Sequence, residues 1–211
     1  FTGDKEESEL CIVLLGKAGV GKSATGNTLL RRERFRSAFS AKPITQKVEK
    51  ESGDFNGQRF SVIDTPAVSS SESFAKHKRE IKNLCKSSPY VLVFVITVGR
   101  FTLEDKKTAE NVEKVFGKKK FRKRMVVLFT HKEDLKGESL EDYVEKSENK
   151  ALLKLVKDCR NRCFALNNKA AGEEKEEVSR LMENLQQMLH EDGSGPCTDK
   201  GKEGERKKKK N

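Results

Sequence analysis

Eight residues near the start of the chain, Gly16-Lys17-Ala18-Gly19-Val20-Gly21-Lys22-Ser23, carry the spacing G-x-x-x-x-G-K-S. Its glycines let the backbone curl so that successive N–H groups point inward at phosphate oxygens. Lys22 then has the reach for β- and γ-phosphates, and the Ser23 hydroxyl has the reach for a Mg²⁺ ion bound to them. The candidate phosphate contacts are Gly16, Lys17, Ala18, Gly19, Val20, Gly21, Lys22 and Ser23, with Ala24 the next amide in line. Such a loop works only between a buried strand and a helix N-terminus, whose dipole favours the anion. Leu10 to Leu15 is an unbroken apolar run and Ser23 to Leu30 follows as a helical segment, so the context is met.

Further positions with chemistry follow in the order a nucleotide switch requires. Thr45 sits before a strand; in Mg²⁺-dependent switches a loop Thr gives the metal a second hydroxyl and touches the γ-phosphate through its N–H. Asp64, in Asp64-Thr65-Pro66, ends a strand and is the expected Mg²⁺ ligand through water. Ala67 stands where most switch GTPases have Gly: the amide for the γ-phosphate survives, with less backbone freedom. No Gln follows to orient an attacking water, which predicts slow intrinsic hydrolysis. Arg100, in the loop after another buried strand, lies at the carboxyl edge of the sheet, where it is a candidate arginine finger acting across a dimer. Lys22, Thr45 and Arg100 are the candidate catalytic residues, and Ser23, Thr45 and Asp64 the candidate metal ligands. Thr130-His131-Lys132-Glu133-Asp134 matches the guanine-reading N-K-x-D box at its lysine and aspartate. The Asp134 carboxylate accepts from N1–H and the N2 amine of guanine, where adenine offers an acceptor and a C–H. Lys132 would lie along the base plane, and His131 replaces the usual Asn. A last base-contacting loop belongs at Asn167-Asn168-Lys169-Ala170.

The elements that must position these groups are readable from periodicity. Leu10–Leu15, Tyr90–Thr97, Met125–Phe129 and Cys163–Leu166 read as buried strands, and Gln46–Ser52 and Arg59–Ile63 alternate around the hairpin turn Asn56-Gly57. Helices are expected at Ser23–Leu30, Phe74–Cys85, from Thr102 as N-cap to Phe116, at Leu140–Tyr143 and Asn149–Lys157, and at Glu173–His190, whose Val178, Leu181, Met182, Leu185 and Leu189 share one face. Gly26 and Asn27 are poor helix-interior residues and so imply a packing or functional demand. Arg31–Ser40 is charged and irregular, as a mobile loop is. Residues 1–8 read as a flexible N-terminus, 9–190 as one nucleotide-binding domain and 191–211 as a disordered basic tail.

Composition narrows the class. The 211 residues suffice for one core, and no run of about eighteen apolar residues crosses a bilayer. No signal peptide is visible, and Phe1 in place of an initiator Met reads as a fragment. The five cysteines, Cys11, Cys85, Cys159, Cys163 and Cys197, are odd in number and read as reduced and intracellular; Cys159 and Cys163 lack neighbours to complete a zinc site. The net charge of +11 invites nucleic acid, particularly at Lys118–Arg124 and Arg206–Lys210. With two Tyr, no Trp and Glu mixed among the Lys, a solvated surface or an anionic-membrane contact through the tail explains it more cheaply, and no nucleic acid is expected.

With these boxes aligned, the chain resembles the GIMAP family, the GTPases of immunity-associated proteins, on the septin-like side of the P-loop GTPases. The resemblance rests on Gly16 through Asn27, Asp64-Thr65-Pro66, Gly99-Arg100-Phe101-Thr102, Thr130 through Asp134 and Ala165 through Lys169, spanning roughly residues 8 to 190. It implies an α/β, three-layer, Ras-like domain with a mostly parallel six-stranded sheet, one antiparallel strand and extra C-terminal helices. It also implies GTP and GDP binding with Mg²⁺, weak basal hydrolysis raised in some members by dimerisation through the nucleotide face, and cytosolic or organelle-surface residence. Asn167 or Asn168 would touch the base, and Arg100 would be the finger. Ala67 departs from the family's usual Gly. Two other readings stand beside a GTPase dependent on self-association: a non-hydrolysing, GTP-regulated scaffold at membranes or on partners, and a P-loop kinase, for which no Arg-rich lid is apparent.

Overall fold

The computed structural model describes residues 9–37, 45–86, 88–169 and 175–191. Its strands are β1 (Leu10–Leu15), β2 (Glu49–Phe55), β3 (Gln58–Asp64), β4 (Tyr90–Thr97), β5 (Met125–Thr130) and β6 (Cys163–Leu166). They form one sheet in the order β2-β3-β1-β4-β5-β6. Only β2 runs antiparallel, joined to β3 across Asn56-Gly57, whose φ values of 52° and 79° are those of a tight hairpin turn. The register of β1 sets Leu14 opposite Asp64, which brings the strand before the phosphate loop level with the carboxylate.

The helices are α1 (Lys22–Leu30), α2 (Ser71–Cys85), α3 (Leu103–Phe116), α4 (Lys118–Arg124), α5 (Leu140–Lys146), α6 (Lys150–Asp158) and α7 (Lys175–Glu191). Alternate residues of β1 enter opposite layers: Cys11, Val13 and Leu15 pack with residues of α2 to α6, Leu10, Ile12 and Leu14 with residues of α1 and α7. The central strands are therefore apolar at every position, because both their faces are covered. The expected face of α7 is the buried one, with Val178, Leu181, Met182 and Leu185 each 2% exposed or less. Side chains of this size contribute about 1.5–3 kcal/mol each on burial. This is the three-layer, six-stranded arrangement with one antiparallel strand that the sequence implied.

Three expectations change. The segment after α1 is not loose throughout: Asn27 Oδ1 accepts from the N–H groups of Arg34 and Phe35 at 2.9 and 2.8 Å, and its Nδ2 donates to the Phe35 carbonyl at 2.8 Å. Gly26 is needed because a Cβ there would lie 2.7 Å from the Phe35 ring, which is 4% exposed. The two poor helix residues thus dock residues 34–35, which local charge pattern does not reveal. The basic run Lys118–Arg124 is the helix α4 rather than a solvated patch alone, with Phe121 and Arg124 buried and the Arg124 guanidinium 5.1 Å over the Tyr90 ring, donating to the Tyr90 carbonyl. Finally, α7 extends to Glu191. The expected flexible N-terminus at 1–8, residues 38–44, Ala170, the first turn expected at Glu173, and the basic tail from 192 onward, with Cys197 and Arg206–Lys210, lie outside the described residues.

Candidate functional site

The three candidate metal ligands come together although α1, the loop before β2 and β3 contribute them separately. Ser23 Oγ donates to Asp64 Oδ2 at 2.5 Å, Thr45 Oγ1 donates to the same oxygen at 3.3 Å, and the two hydroxyls are 3.1 Å apart. Asp64 is 1% exposed, and its Oδ1 is buried without a partner. Burial pushes its carboxyl up from the usual range, opposed by the Ser23 hydrogen bond and the Lys22 charge. A tight cluster of hard oxygen donors, one carboxylate oxygen unused, fits a small divalent cation such as Mg²⁺.

Lys22 is 7% exposed and burial lowers its ammonium to about 8, with Asp64 working the other way. One of its N–H groups donates to the Lys17 carbonyl at 2.8 Å, which leaves two for a ligand. The loop is braced from behind. Gly16, at φ 152°, tolerates no side chain, because a Cβ would come 2.6 Å from the Val95 carbonyl on β4. The buried Thr130 hydroxyl lies 2.8 Å from the Val20 carbonyl and 3.2 Å from that of Ile96, tying the loop to the ends of β4 and β5. Gly19 and Gly21 also have positive φ, and Gly21 is the N-cap of α1.

The Asp64-Thr65-Pro66-Ala67 segment is fixed at both ends. Thr65 donates from its hydroxyl to the Leu14 carbonyl at 2.7 Å. Val68, 3% exposed, donates its N–H to Gly16 at 3.3 Å and accepts from the Thr108 hydroxyl at 3.4 Å. Ala67 sits between these anchors, half-buried. The serines that follow serve α2, with Ser70 and Ser73 forming a reciprocal cap.

The Gly99-Arg100-Phe101-Thr102 segment is also anchored. Gly99 N–H donates to the Tyr143 hydroxyl at 2.7 Å, Asn149 donates to the Phe101 carbonyl at 3.3 Å, and Thr102 forms a complete capping box with Asp105. Arg100 itself is exposed at the carboxyl edge of β4, and Leu103 beside it is 77% exposed. The Lys17 ammonium does not turn toward the phosphate loop's centre: it bonds Asp105 Oδ2 at 2.8 Å and Thr102 Oγ1 at 3.1 Å.

On the base side, β5 runs into a 3-10 turn at Lys132–Leu135. His131 takes φ 60°, a left-handed conformation for which Asn, Asp and His are the enriched side-chain-bearing residues. Its Nδ1 lies 3.6 Å from Glu133 and 4.0 Å from Asp134. Asp134 is 59% exposed and so is free to meet a base. Lys132 is ion-paired with Glu177 of α7, and Lys169 reaches Glu133 at 3.6 Å. The structure separates the two candidate asparagines. Asn168 spends both ends of its amide on α1, donating to Thr25 Oγ1 at 3.1 Å and accepting from Thr28 at 2.9 Å. Asn167 Oδ1 accepts the Lys169 N–H at 3.0 Å, and its NH₂ group is the one left for a base. The bracing role of the Thr130 hydroxyl and the pairing of Glu177 with Lys132 leave no signal in the sequence, whereas Asn27 stands out there as an Asn inside a helix.

A doubly wound sheet with a phosphate loop after β1, a carboxylate ending β3 and a K-x-D turn after β5 defines a P-loop protein of the GTPase fold. The chain belongs to the AIG1 family, whose model matches residues 10–211. It is 36% identical over 197 residues to human GTPase IMAP family member 8, covering 93% of this chain and 29% of that protein. To Immune-associated nucleotide-binding protein 9 of Arabidopsis thaliana it is 28% identical, covering 89% of this chain and 57% of that protein. The chain thus spans about a third or less of the first and just over half of the second. Among solved structures, a dimerization-deficient mutant of Toc33 from Arabidopsis thaliana superposes with TM-score 0.68 at 17% identity, covering 92% of this chain and 89% of that one. Toc33 in complex with Mg²⁺ and GMPPNP gives TM-score 0.64 at 20% identity, covering 87% and 85%.

Proposed function

We propose that this chain binds GTP and GDP with Mg²⁺ and hydrolyses GTP slowly, with turnover raised when two copies meet through their nucleotide faces. The observation that carries the reading is the convergence of Ser23, Thr45 and Asp64 oxygens within 3.3 Å beside Lys22, with Asp64 Oδ1 unpartnered. Ser23, Thr45 and Asp64 would hold Mg²⁺, which would supply positive charge against the phosphates. The chain's own residues do the rest. Loop amides from Gly16 to Ala24 cradle the phosphates, Lys22 donates its two remaining N–H groups, and Ala67 N–H meets the γ-phosphate. Asp134 reads guanine, and Asn167 approaches the base from the other side. With no Gln after Ala67, the attacking water lacks an orienting side chain, which keeps one copy slow.

Arg100 is the residue proposed to supply the missing charge, from a second copy. Its exposure and the adjacent exposed Leu103 support a contact at this edge. Dimerization is important for the GTPase activity of the chloroplast translocon components atToc33 and psToc159, in work whose solved structure has this fold. The test is turnover per molecule against protein concentration, together with calorimetric titration of GDP and ADP. A rising rate that Arg100→Ala abolishes is expected, with GDP bound and ADP not. A flat rate in the wild type, or ADP binding equal to GDP, would sink the reading.

A second reading, a non-hydrolysing scaffold switched by GTP, is favoured by Ala67 and by the anchoring of Val68 to Gly16 and Thr108. Phosphate release from GTP separates the two, the scaffold releasing none, and light scattering showing the same monomer with GDP and with a non-hydrolysable GTP analogue would remove the scaffold. Residence on an anionic organelle surface through the basic tail is the accompanying proposal, tested by flotation with phosphatidylserine vesicles.

A further inference from the structure

We propose that Lys17 is a positioning residue: its ion pair with Asp105 latches the phosphate loop to the segment carrying Arg100, so that the state of the loop sets where Arg100 stands. The consequence for Arg100 rests on the reading of that residue given above; the latch itself does not.

The geometry is specific. Lys17 occupies the first variable position of the phosphate loop, and its two ends serve different masters. Its carbonyl accepts from the Lys22 ammonium at 2.8 Å, so its backbone is held by the group expected to grip the γ-phosphate. Its side chain, 17% exposed, crosses to the start of α3, where Nζ lies 2.8 Å from Asp105 Oδ2 and 3.1 Å from Thr102 Oγ1. Asp105 Oδ2 also accepts the Thr102 N–H at 2.8 Å and the Thr102 hydroxyl at 2.9 Å, while Oδ1 is buried without a partner. Asp105 is 1% exposed, so its charge has left water, and Lys17 is the cation that compensates it. Glu104, mostly exposed and 4.0 Å from the same ammonium, is a weaker neighbour.

A helix N-cap alone does not need this. Thr102 and Asp105 already complete the capping box between themselves, and a polar side chain at Asp105 would serve it. What the buried carboxylate adds is a partner for a lysine 88 residues away in sequence. Removing one member of a buried pair leaves the other charge uncompensated, so the two segments favour staying together. Three residues before Asp105 the chain is Thr102, and two before that is Arg100. A shift of the loop backbone at Lys17 therefore reaches Arg100 through one ion pair and one cap.

Amide hydrogen exchange over Gly99–Lys106 in the full chain tests the latch without reference to activity. Exchange in Lys17→Met is expected to be about tenfold faster or more, and Lys17→Arg to return it to within about threefold of wild type. Equal exchange in Lys17→Met and wild type would overturn the latch. If Lys17→Met does not fold, Asp105→Asn, which keeps an acceptor for the cap while removing the charge, carries the same measurement with the same two outcomes. The link to Arg100 is read from GTP turnover. Lys17→Met is expected to lower kcat about tenfold with the change falling on kcat rather than KM, and adding Arg100→Ala to it is expected to lower turnover no further. Losses that multiply would overturn the positioning role. Should Arg100→Ala alone leave turnover unchanged, it is the finger that fails, and exchange alone decides the latch.

Discussion

Asn27→Ala is expected to cost the protein about 2–3 kcal/mol, a large effect for a half-buried polar residue in a helix. Three hydrogen bonds are lost, at 2.8 to 2.9 Å, two accepted by Oδ1 and one donated by Nδ2. Each is worth about 1 kcal/mol net, and the Phe35 N–H and C=O would lose their partners beside a ring that is itself buried. Alanine's better helix propensity returns only about 0.5 kcal/mol. For a chain of this size the difference corresponds to a fall of roughly 5–10 °C in melting temperature. Asn27→Asp separates the parts: the two accepted bonds survive, but an anionic oxygen replaces the NH₂ group facing the Phe35 carbonyl, so a smaller loss of about 1–2 kcal/mol is expected. Urea unfolding of the three proteins at neutral pH gives the comparison. A loss below about 0.5 kcal/mol for Asn27→Ala would mean that the 34–35 docking contributes nothing, and would refute the account of why α1 tolerates Gly26-Asn27.

Gly26→Ala tests the same dock from the packing side: a Cβ 2.7 Å from the Phe35 ring and 3.3 Å from Leu14 should cost about 2–3 kcal/mol in strain, outweighing the roughly 1 kcal/mol that alanine gains over glycine in a helix, so urea unfolding should show a net loss. Glu177 has its carboxyl held below its ordinary value by the hydrogen bond from Lys132. A depressed carboxyl contributes stability above its unfolded value of 4.5 and loses it as pH falls through the folded one. The stability gap between wild type and Glu177→Gln should therefore be full at neutral pH and close in acid below 4.5, measured by urea unfolding across pH. Burial pushes Cys159 up to about 12 and Cys163 to about 11, so iodoacetamide at neutral pH should label both only after unfolding, as mass spectrometry of the two peptides would show.

What the sequence made legible, and what it hid, divides along a physical line. Backbone-determined features could be read: the curl of Gly16 to Ser23 needs glycines, strands buried on both faces are apolar without a break, and Asn56-Gly57 turns because both residues accept positive φ. The placement of Ser23, Thr45 and Asp64 on one point was also readable, because in a parallel sheet the start of the helix after β1 and the end of β3 meet at one edge, where the loop carrying Thr45 also arrives. Side-chain pairings between distant elements were not, since they leave no period. Asn167 and Asn168 are identical letters in sequence, and only the folded position of the turn after β6 beside α1 sets Asn168 onto Thr25 and Thr28. Lys17 shows the limit most sharply. In the motif it is a variable position, any residue between two glycines, and its neighbourhood in sequence is the phosphate loop. In space its ammonium belongs to α3, because the strand order sets β4, and hence the segment after it, directly beside β1. The same adjacency lets Thr108, one turn further along α3, accept the task of holding Val68. The first turns of α3 thus bind both the phosphate loop and the chain just past Ala67, and any movement of either must be accommodated there.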